Sequence, residues 1–460
     1  MPGSLRVVLA VIPECGFQRP RETKRPSFSP FLAPAPNLRA SGLSYSLQKI
    51  VAKRRAGVGV MARSLNEDQG LTIVMKADDL SAAEGCSAGG VVAGRLETNI
   101  PSLDKGGDCI EHSMTTRNYR YSVADLPKLQ PFGSVLADNI SIAEYSEGSW
   151  SATKLLPRDD FSLHPGAHCL HYGSSCFEGL KAYRWDDPDD SLVVYRVDTH
   201  AKRMAQSAKT LHLPVPDPDM FVQMIQDIVS DSAESVPPAP GSLYLRPVLI
   251  GTDPNIGAAS TASTSAVFYV LASPVDNYFA AGEKALRLLV EDKVPRTTPQ
   301  FGCVKTGANY AAALGMTLEA KERWNVDQIL FCPSGDVQET GASNFVLIDD
   351  KTLVTKPLCG SFLHGVTRDS VLTLASDLGY DVQERDFTVQ DLLDWTKHGE
   401  AALSGTAAVL AGVGTLIYDD QTYELSGGVT GPNTRRLRKA LVDIQQGAAA
   451  DTHGWITKIT

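Results

Sequence analysis

Residues 136–145 alternate apolar and polar side chains and run into Glu147-Gly148-Ser149, the pattern of a half-buried strand closed by a turn. Residues 179–185 and 192–196 repeat the strand pattern, and Asp186-Asp187-Pro188-Asp189-Asp190 between them makes a β-hairpin. The period then lengthens. Asp198 or Thr199 can cap a helix that reaches about residue 211, and residues 217–232 set Phe221, Met224, Ile225 and Ile228 on one helical face. Strands return at 242–250 and 265–272. Two helices set apart from several strands predict an α+β domain over residues 126–274.

Ser273-Pro274-Val275-Asp276-Asn277-Tyr278 reads as a connection, placed at 275–282, to a larger second domain over 283–460. That half opens with a strand at 285–291. Ala311, Ala312, Ala313, Leu314 and Leu318 then predict a buried helix starting near Lys305. Strands follow at 328–332, 344–348 and 353–355, and helices at 367–378, 389–395 and 433–445. Ala411-Gly412-Val413-Gly414 lacks the GxGxxG spacing and reads as a turn. There is no internal repeat, and no βαβ rhythm regular enough for a Rossmann sheet or an eight-stranded α/β barrel.

Composition changes the picture mainly at the start of the chain. Residues 1–60 hold ten Lys and Arg against Glu14 and Glu22, with frequent serine and proline. This reads as an organelle transit peptide, for a mitochondrion or a plastid. A disordered basic tail, or a second translation start at Met61 with a cytoplasmic product, are the other readings. Residues 61–125 are Gly-, Ser- and Asp-rich and read as a low-complexity leader. The whole chain of 460 residues is 43% hydrophobic and 21% charged, ordinary for a globular protein. A net charge of −10 without a basic patch argues against a nucleic-acid partner, and no apolar run approaches the ~20 residues that span a bilayer. The eight cysteines form no Cys-x-x-Cys pair, so neither a zinc site nor a disulfide framework is expected.

Candidate chemistry centres on Val304-Lys305-Thr306-Gly307-Ala308-Asn309-Tyr310. A lysine at the start of an apolar helix is partly desolvated, which favours the neutral amine that a Schiff base needs. Taken alone, it reads more readily as a surface lysine snorkelling from a helix end. Four further stretches stand in order with it: Leu170-His171-Tyr172-Gly173 with Phe177-Glu178-Gly179-Leu180-Lys181, then Tyr244-Leu245-Arg246-Pro247-Val248-Leu249-Ile250-Gly251, Gln338-Glu339-Thr340-Gly341-Ala342-Ser343-Asn344, and Ser404-Gly405-Thr406-Ala407.

Together these five resemble the branched-chain amino-acid aminotransferases, fold type IV enzymes that use pyridoxal 5'-phosphate. The resemblance covers roughly residues 131–453. It implies a two-domain α+β fold with the cofactor in the interdomain cleft, and a homodimer. It implies transamination of L-leucine, L-isoleucine and L-valine with 2-oxoglutarate, giving branched-chain 2-oxo acids and L-glutamate, in biosynthesis or breakdown. It assigns Lys305 as the covalent cofactor lysine and proton-transfer base. Glu339 would face the pyridine nitrogen and Tyr310 the phenolic oxygen. Arg203, the Val366 and Thr367 amides and the Thr406 hydroxyl would hold the phosphate. Tyr172, Phe177, Tyr244 and Arg246 would surround the substrate side chain, and the Ala407 amide would meet the α-carboxylate. Ile256 and Ala258 would reach the neighbouring subunit's site.

Two departures stand out. Where mammalian relatives carry a redox Cys-x-x-Cys, this chain has Ala408-Val409-Leu410-Ala411, and where many relatives have threonine it has Ala342. The intact Asn309-Tyr310 and Tyr244-x-Arg246 favour the branched-chain group over D-amino-acid aminotransferase and aminodeoxychorismate lyase. A catalytically silent binding protein is the remaining alternative, and retention of Lys305, Glu339, Tyr310 and Arg203 argues against it.

Overall fold

The computed structural model describes residues 119–277 and 284–459, all within one compact unit. The basic segment 1–60, the leader as far as 118 and residues 278–282 of the expected connection lie outside the described residues. Just before the expected boundary at 126, a 3-10 helix at Val123–Leu129 buries Leu126 and Leu129.

The first body is an antiparallel sheet with helices on it. Its strands are β1 (Asn139–Ser146), β2 (Ser149–Trp150), β3 (Lys154–Pro157), β4 (Ser175–Phe177), β5 (Leu180–Arg184), β6 (Leu192–Tyr195), β7 (Ser242–Gly251) and β8 (Ala266–Val275). The short helix α1 (His168–Tyr172) and the longer α2 (Val197–Thr210) and α3 (Pro218–Asp231) accompany them. The expected hairpin is there, with Ala182 opposite Val194 and Arg184 opposite Leu192. Asp217 caps α3 by accepting from the Asp219 amide. Phe221, Met224, Ile225 and Ile228 are all buried against Phe268, Leu243 and Leu245 of β7 and β8. Neither Asp198 nor Thr199 caps α2; Arg196, in left-handed backbone conformation, precedes its first turn. β8 continues three residues past its expected end, because Ser273, Pro274 and Val275 stay paired with β7.

The second body comprises β9 (Leu286–Glu291), α4 (Gly307–Trp324), β10 (Gln328–Phe331), β11 (Glu339–Thr340), β12 (Asn344–Ile348), β13 (Thr352–Thr355), α5 (Val366–Asp377), β14 (Asp381–Glu384), α6 (Val389–Trp395), β15 (Glu400–Gly405), β16 (Val409–Tyr418), β17 (Gln421–Glu424) and α7 (Pro432–Gln445). β18 (Ile456–Lys458) returns to pair with β6 of the first sheet. Strands run in the order β11-β10-β9-β16-β15-β12, and β12 pairs back on β11, so these six close into a barrel. β9 is parallel to both β10 and β16, while β12, β15 and β16 pair antiparallel. The fold is therefore the expected α+β class.

Two sequence expectations are corrected here. Gly412 and Gly414 lie inside β16, not in a turn. Residues 428–430 pack directly on them: a Cβ on Gly412 would come within 2.7 Å of the Thr430 side chain, and one on Gly414 within 2.6 Å of the Gly428 carbonyl. Nor is α4 buried. It starts at Gly307 after the Thr306 cap, and only Asn309, Ala313 and Ala320 are covered. Leu314 and Leu318 are each 56% exposed. Of the apolar stripe that suggested burial, Ala313 alone packs on Ile329 and Phe331 of β10.

Candidate active site

Lys305 sits in the loop that feeds α4, held by its backbone at both ends. Its N–H donates to the Ser207 hydroxyl of α2 at 3.1 Å, and its carbonyl accepts from the Phe177 N–H of β4 at 3.0 Å. Buried Asn309 fixes the approach: its Nδ2 donates to the carbonyls of Phe301 and Val304, and its Oδ1 accepts from Thr297. The asparagine of the Asn-Tyr pair thus shapes the loop that aims the lysine. The Lys305 Nζ then lies 3.0 Å from the Tyr310 hydroxyl and 4.9 Å from the Phe177 ring centroid.

These groups border a cavity of ≈ 490 Å³. Burial works to raise the pKa of the Tyr310 phenol. The Lys305 charge and hydrogen bond, with Arg296 nearby, outweigh it and bring the phenol below its ordinary value.

A second wall carries Glu339, at the start of β11 and almost fully buried. Oε1 accepts from Arg296 at 2.7 Å and from the Leu363 N–H at 3.1 Å, and Oε2 accepts from Asn344 Nδ2 at 3.1 Å. Burial pushes its pKa up to about 7, against the pull of Arg296 and the Leu363 amide. Oε2 keeps a lone pair for one more donor.

Asn344 also donates to the Leu363 carbonyl, which draws the loop before α5 against the carboxylate. Gly365 stands where that loop enters the helix; a Cβ there would fall 1.9 Å from Asn344 Oδ1. α5 begins at Val366 with no side chain capping it, so its first amides face the cavity unclaimed, as anion sites at helix starts do.

Beside that helix start lies Arg203 of α2. Its Nε and Nη2 each donate at 2.8 Å to Glu178, and Nη1 donates to the His364 carbonyl at 3.0 Å. Glu178 is wholly buried and also takes His200 Nδ1 at 2.7 Å. Three of the five guanidinium N–H groups are engaged there, and two remain for an anion. Burial opposes ionisation of Glu178, but Arg203 and His200 hold its carboxyl far below the usual range.

The third wall holds Tyr244 and Arg246 of β7. They point to one face and bond to each other, Nη2 to hydroxyl, at 3.0 Å. The guanidinium lies 4.6 Å from the Phe177 ring centroid, its Nε is buried without a partner, and no carboxylate pairs with it among the described residues. Gly179 lets the Tyr244 hydroxyl pass where a Cβ would stand 2.1 Å away. The turn joining β15 to β16 brings Thr406 and Ala407 to the same space.

Of the residues expected at the site, Lys305, Tyr310, Glu339, Arg203, Val366, Thr367, Thr406, Phe177, Tyr244, Arg246 and Ala407 all line this cavity. Tyr172, Ile256 and Ala258 do not. Tyr172 donates to the Ile256 carbonyl, and Ile256 is 71% exposed, so these two form a separate surface group. Thr406 gives its hydroxyl proton to the Gly179 carbonyl at 2.9 Å and offers the cavity only lone pairs. Arg296, Glu178 and His200 were not expected. Glu178 stood inside a quoted motif, whereas Arg296 meets Glu339 across 43 residues with no local pattern to announce it.

The arrangement suits a ligand with a phosphate at one end and a protonated ring nitrogen at the other. Arg203 and the α5 amides face the first, Glu339 the second, and an amine lies between. This donor set fits pyridoxal phosphate.

A family model described as amino-transferase class IV matches residues 175–415. A probable branched-chain-amino-acid aminotransferase of Streptomyces coelicolor is 38% identical over 335 residues, covering 71% of this chain and 91% of that one. The chloroplastic branched-chain-amino-acid aminotransferase 2 of Arabidopsis thaliana is 36% identical over 334 residues, covering 71% and 84%. Similar relatives also carry mitochondrial and cytosolic names. Among solved structures, a bacterial branched-chain amino acid aminotransferase complexed with N-(5'-phosphopyridoxyl)-L-glutamate aligns with a TM-score of 0.57 and 26% identity, over 69% of this chain and 98% of that one. The Escherichia coli branched-chain amino acid aminotransferase aligns with a TM-score of 0.58 and 27% identity, over 70% of this chain and 100% of that one.

Proposed function

The chain belongs to the branched-chain-amino-acid aminotransferases of class IV, and from that premise we propose that it moves the amino group of L-leucine, L-isoleucine or L-valine to 2-oxoglutarate, with pyridoxal phosphate as cofactor. One observation carries this reading. A single cavity joins the Lys305 amine, the buried Glu339 carboxylate, and an anion site made of Arg203 and the start of α5. The phosphopyridoxyl-glutamate ligand of the solved bacterial relative supports both the cofactor and the second substrate.

When bound, pyridoxal phosphate supplies an electron sink for the charge that develops at the substrate α-carbon. Lys305 would attach it covalently. Arg203 and the Val366 and Thr367 amides would hold its phosphate, Glu339 its ring nitrogen and Tyr310 its phenolic oxygen. The Lys305 amine would also serve as the base for the substrate α-proton, a task worth roughly 10²–10⁴-fold in rate. The Tyr310 hydroxyl, 3.0 Å away, orients that amine. Phe177 shields it from water on one side. Tyr244 and Arg246 line the space for the substrate side chain, with the Ala407 amide toward the α-carboxylate.

We further place Tyr172, Ile256 and Ala258 at the site of a second copy in a homodimer. The exposed Ile256, Leu170, Leu314 and Leu318 supply apolar surface for that contact. The domain boundaries at 126–274 and 283–460 belong to the same reading. The basic residues of 1–60 support delivery to a mitochondrion or plastid; a fluorescent protein fused behind residues 1–120 that stayed diffuse in the cytosol would end that part of it.

The direct test is a donor panel on the purified protein with 2-oxoglutarate as acceptor. L-leucine, L-isoleucine and L-valine are expected to yield glutamate, and D-alanine and aminodeoxychorismate to yield no product. Turnover of D-alanine in preference to L-leucine would overturn the substrate assignment.

A further inference from the structure

Lys181 is a buried cation that the roles above leave unused. It lies on β5, every residue of which is buried, and it does not line the cavity. Its Nζ donates to the Ala407 carbonyl at 3.0 Å, across 226 residues of sequence. Among the described residues no carboxylate pairs with it, and the charged group acting on it is another cation, Arg438 of α7. Burial first, and then Arg438, pull its pKa down to about 8. A buried ammonium with one carbonyl and no counter-charge is costly to maintain.

What lies beyond that carbonyl explains the arrangement. Ala407 and Ala408 line the cavity, and the backbone N–H groups of neither residue donate to any described group. The carbonyl that Lys181 binds belongs to the same peptide as the Ala408 N–H, so the cation polarises that N–H toward the cavity. A second bond, Thr406 hydroxyl to Gly179 carbonyl, ties the turn to the same strand two residues before Lys181. Val409, directly after the turn, holds a φ of 62°, a strained value for a β-branched residue that the surrounding contacts must enforce.

We infer that Lys181 is a positioning residue whose ammonium, set behind the peptide that joins Ala407 to Ala408, gives this turn the positive character that receives the α-carboxylate shared by every substrate. The inference rests on the aminotransferase reading and on the Ala407 turn as the carboxylate site. The incoming carboxylate is the counter-charge that is missing among the described residues. A cation placed behind a peptide acts on the carboxylate and not on the side chain, so its effect is the same for leucine and for 2-oxoglutarate. That separates it from Arg246.

The test uses holoenzyme and two unreactive probes: 4-methylvalerate, which is leucine without its amino group, and the uncharged 4-methylvaleramide. Calorimetry measures both against wild type, Lys181→Met, Lys181→Gln and Lys181→Arg. Lys181→Met should bind the acid about tenfold more weakly or worse, the scale of one unit charge acting across a peptide at an effective dielectric of about 20. It should bind the amide as wild type does. KM for leucine and for 2-oxoglutarate should rise by the same factor, with kcat changed much less. Lys181→Gln, which keeps a donor for Ala407 without the charge, guards against misfolding and should show the same selective loss. Lys181→Arg should restore most of the affinity. Acid and amide weakened alike, or an acid affinity unchanged in Lys181→Gln, would overturn the inference while leucine transamination by wild type left the aminotransferase reading standing. A wild-type holoenzyme inactive on leucine would overturn both.

Discussion

Replacing Arg246 by glutamine asks how one pocket accepts two unlike side chains. On the proposed reaction the pocket must take the aliphatic group of leucine and then the charged side chain of glutamate. An apolar wall alone would reject the second, because an unpaired carboxylate is expensive to bury. Arg246 is placed to solve this. Among the described residues it has no carboxylate partner; it rests on the Phe177 ring and donates a hydrogen bond to the Tyr244 hydroxyl 3.0 Å away. When leucine is bound, those aromatic faces keep the cation covered. On the proposed reaction, the guanidinium would pair with the distal carboxylate of bound glutamate or 2-oxoglutarate. A hydrogen bond to a charged group is worth roughly 1.5–3 kcal/mol, which at about 1.4 kcal/mol per tenfold is a factor of about 10 to 100. Arg246→Gln should therefore raise KM for 2-oxoglutarate and glutamate by about 10- to 100-fold, and KM for leucine by far less. Steady-state kinetics with each substrate varied in turn reads the split, and sedimentation of the variant reads assembly. Equal changes for leucine and 2-oxoglutarate, accompanied by dissociation, would refute the reasoning and make Arg246 an interface residue.

Three further outcomes are expected. Arg203→Ala should mainly weaken cofactor binding, and Glu339→Ala should keep the cofactor but slow the single-turnover rate; equal effects of both variants on cofactor Kd and on rate would undo this division. Glu178→Gln strands Arg203 without its buried counter-charge and disturbs the His200 hydrogen bond, and should cost about 3–5 kcal/mol in chemical denaturation at neutral pH. Because the folded state depresses the Glu178 pKa, its contribution is present above the ordinary carboxylate range and fades as pH falls below it, so the variant's stability should depend less on acid than the wild type's. Gly365→Ala drives a methyl into Asn344 Oδ1; it should displace both the Glu339 clamp and the start of α5, lowering cofactor affinity about tenfold or more, and wild-type affinity in that variant would show that the loop yields freely.

Where a segment buried one face and exposed the other, the chain announced it. α3 is the clearest case, since its four predicted core residues are the ones packed beneath β7 and β8. The barrel centre was silent for the opposite reason. β15 and β16 are buried on both faces, so they carry no alternation. Their glycines mark close approach by residues 428–430, which a reader without the tertiary contact takes for a turn. α4 misled in a third way. Its Ala/Leu stripe obeys the rule for a buried helix, yet Leu314 and Leu318 of that stripe stay exposed. The site divides along the same line. Most residues that family resemblance named for cofactor or substrate do line the cavity. The residues that make those groups usable were not among those named. Arg296 on Glu339, Glu178 on Arg203 and Lys181 behind Ala407 are buried charges that act across 43, 25 and 226 positions. Each is tolerable only because folding brings its partner to it, and that condition leaves no local trace. A cavity that must bind anions, hold a proton base and exclude water needs such charges in numbers. The part of this site that sequence could not reveal is therefore the part that sets its electrostatics.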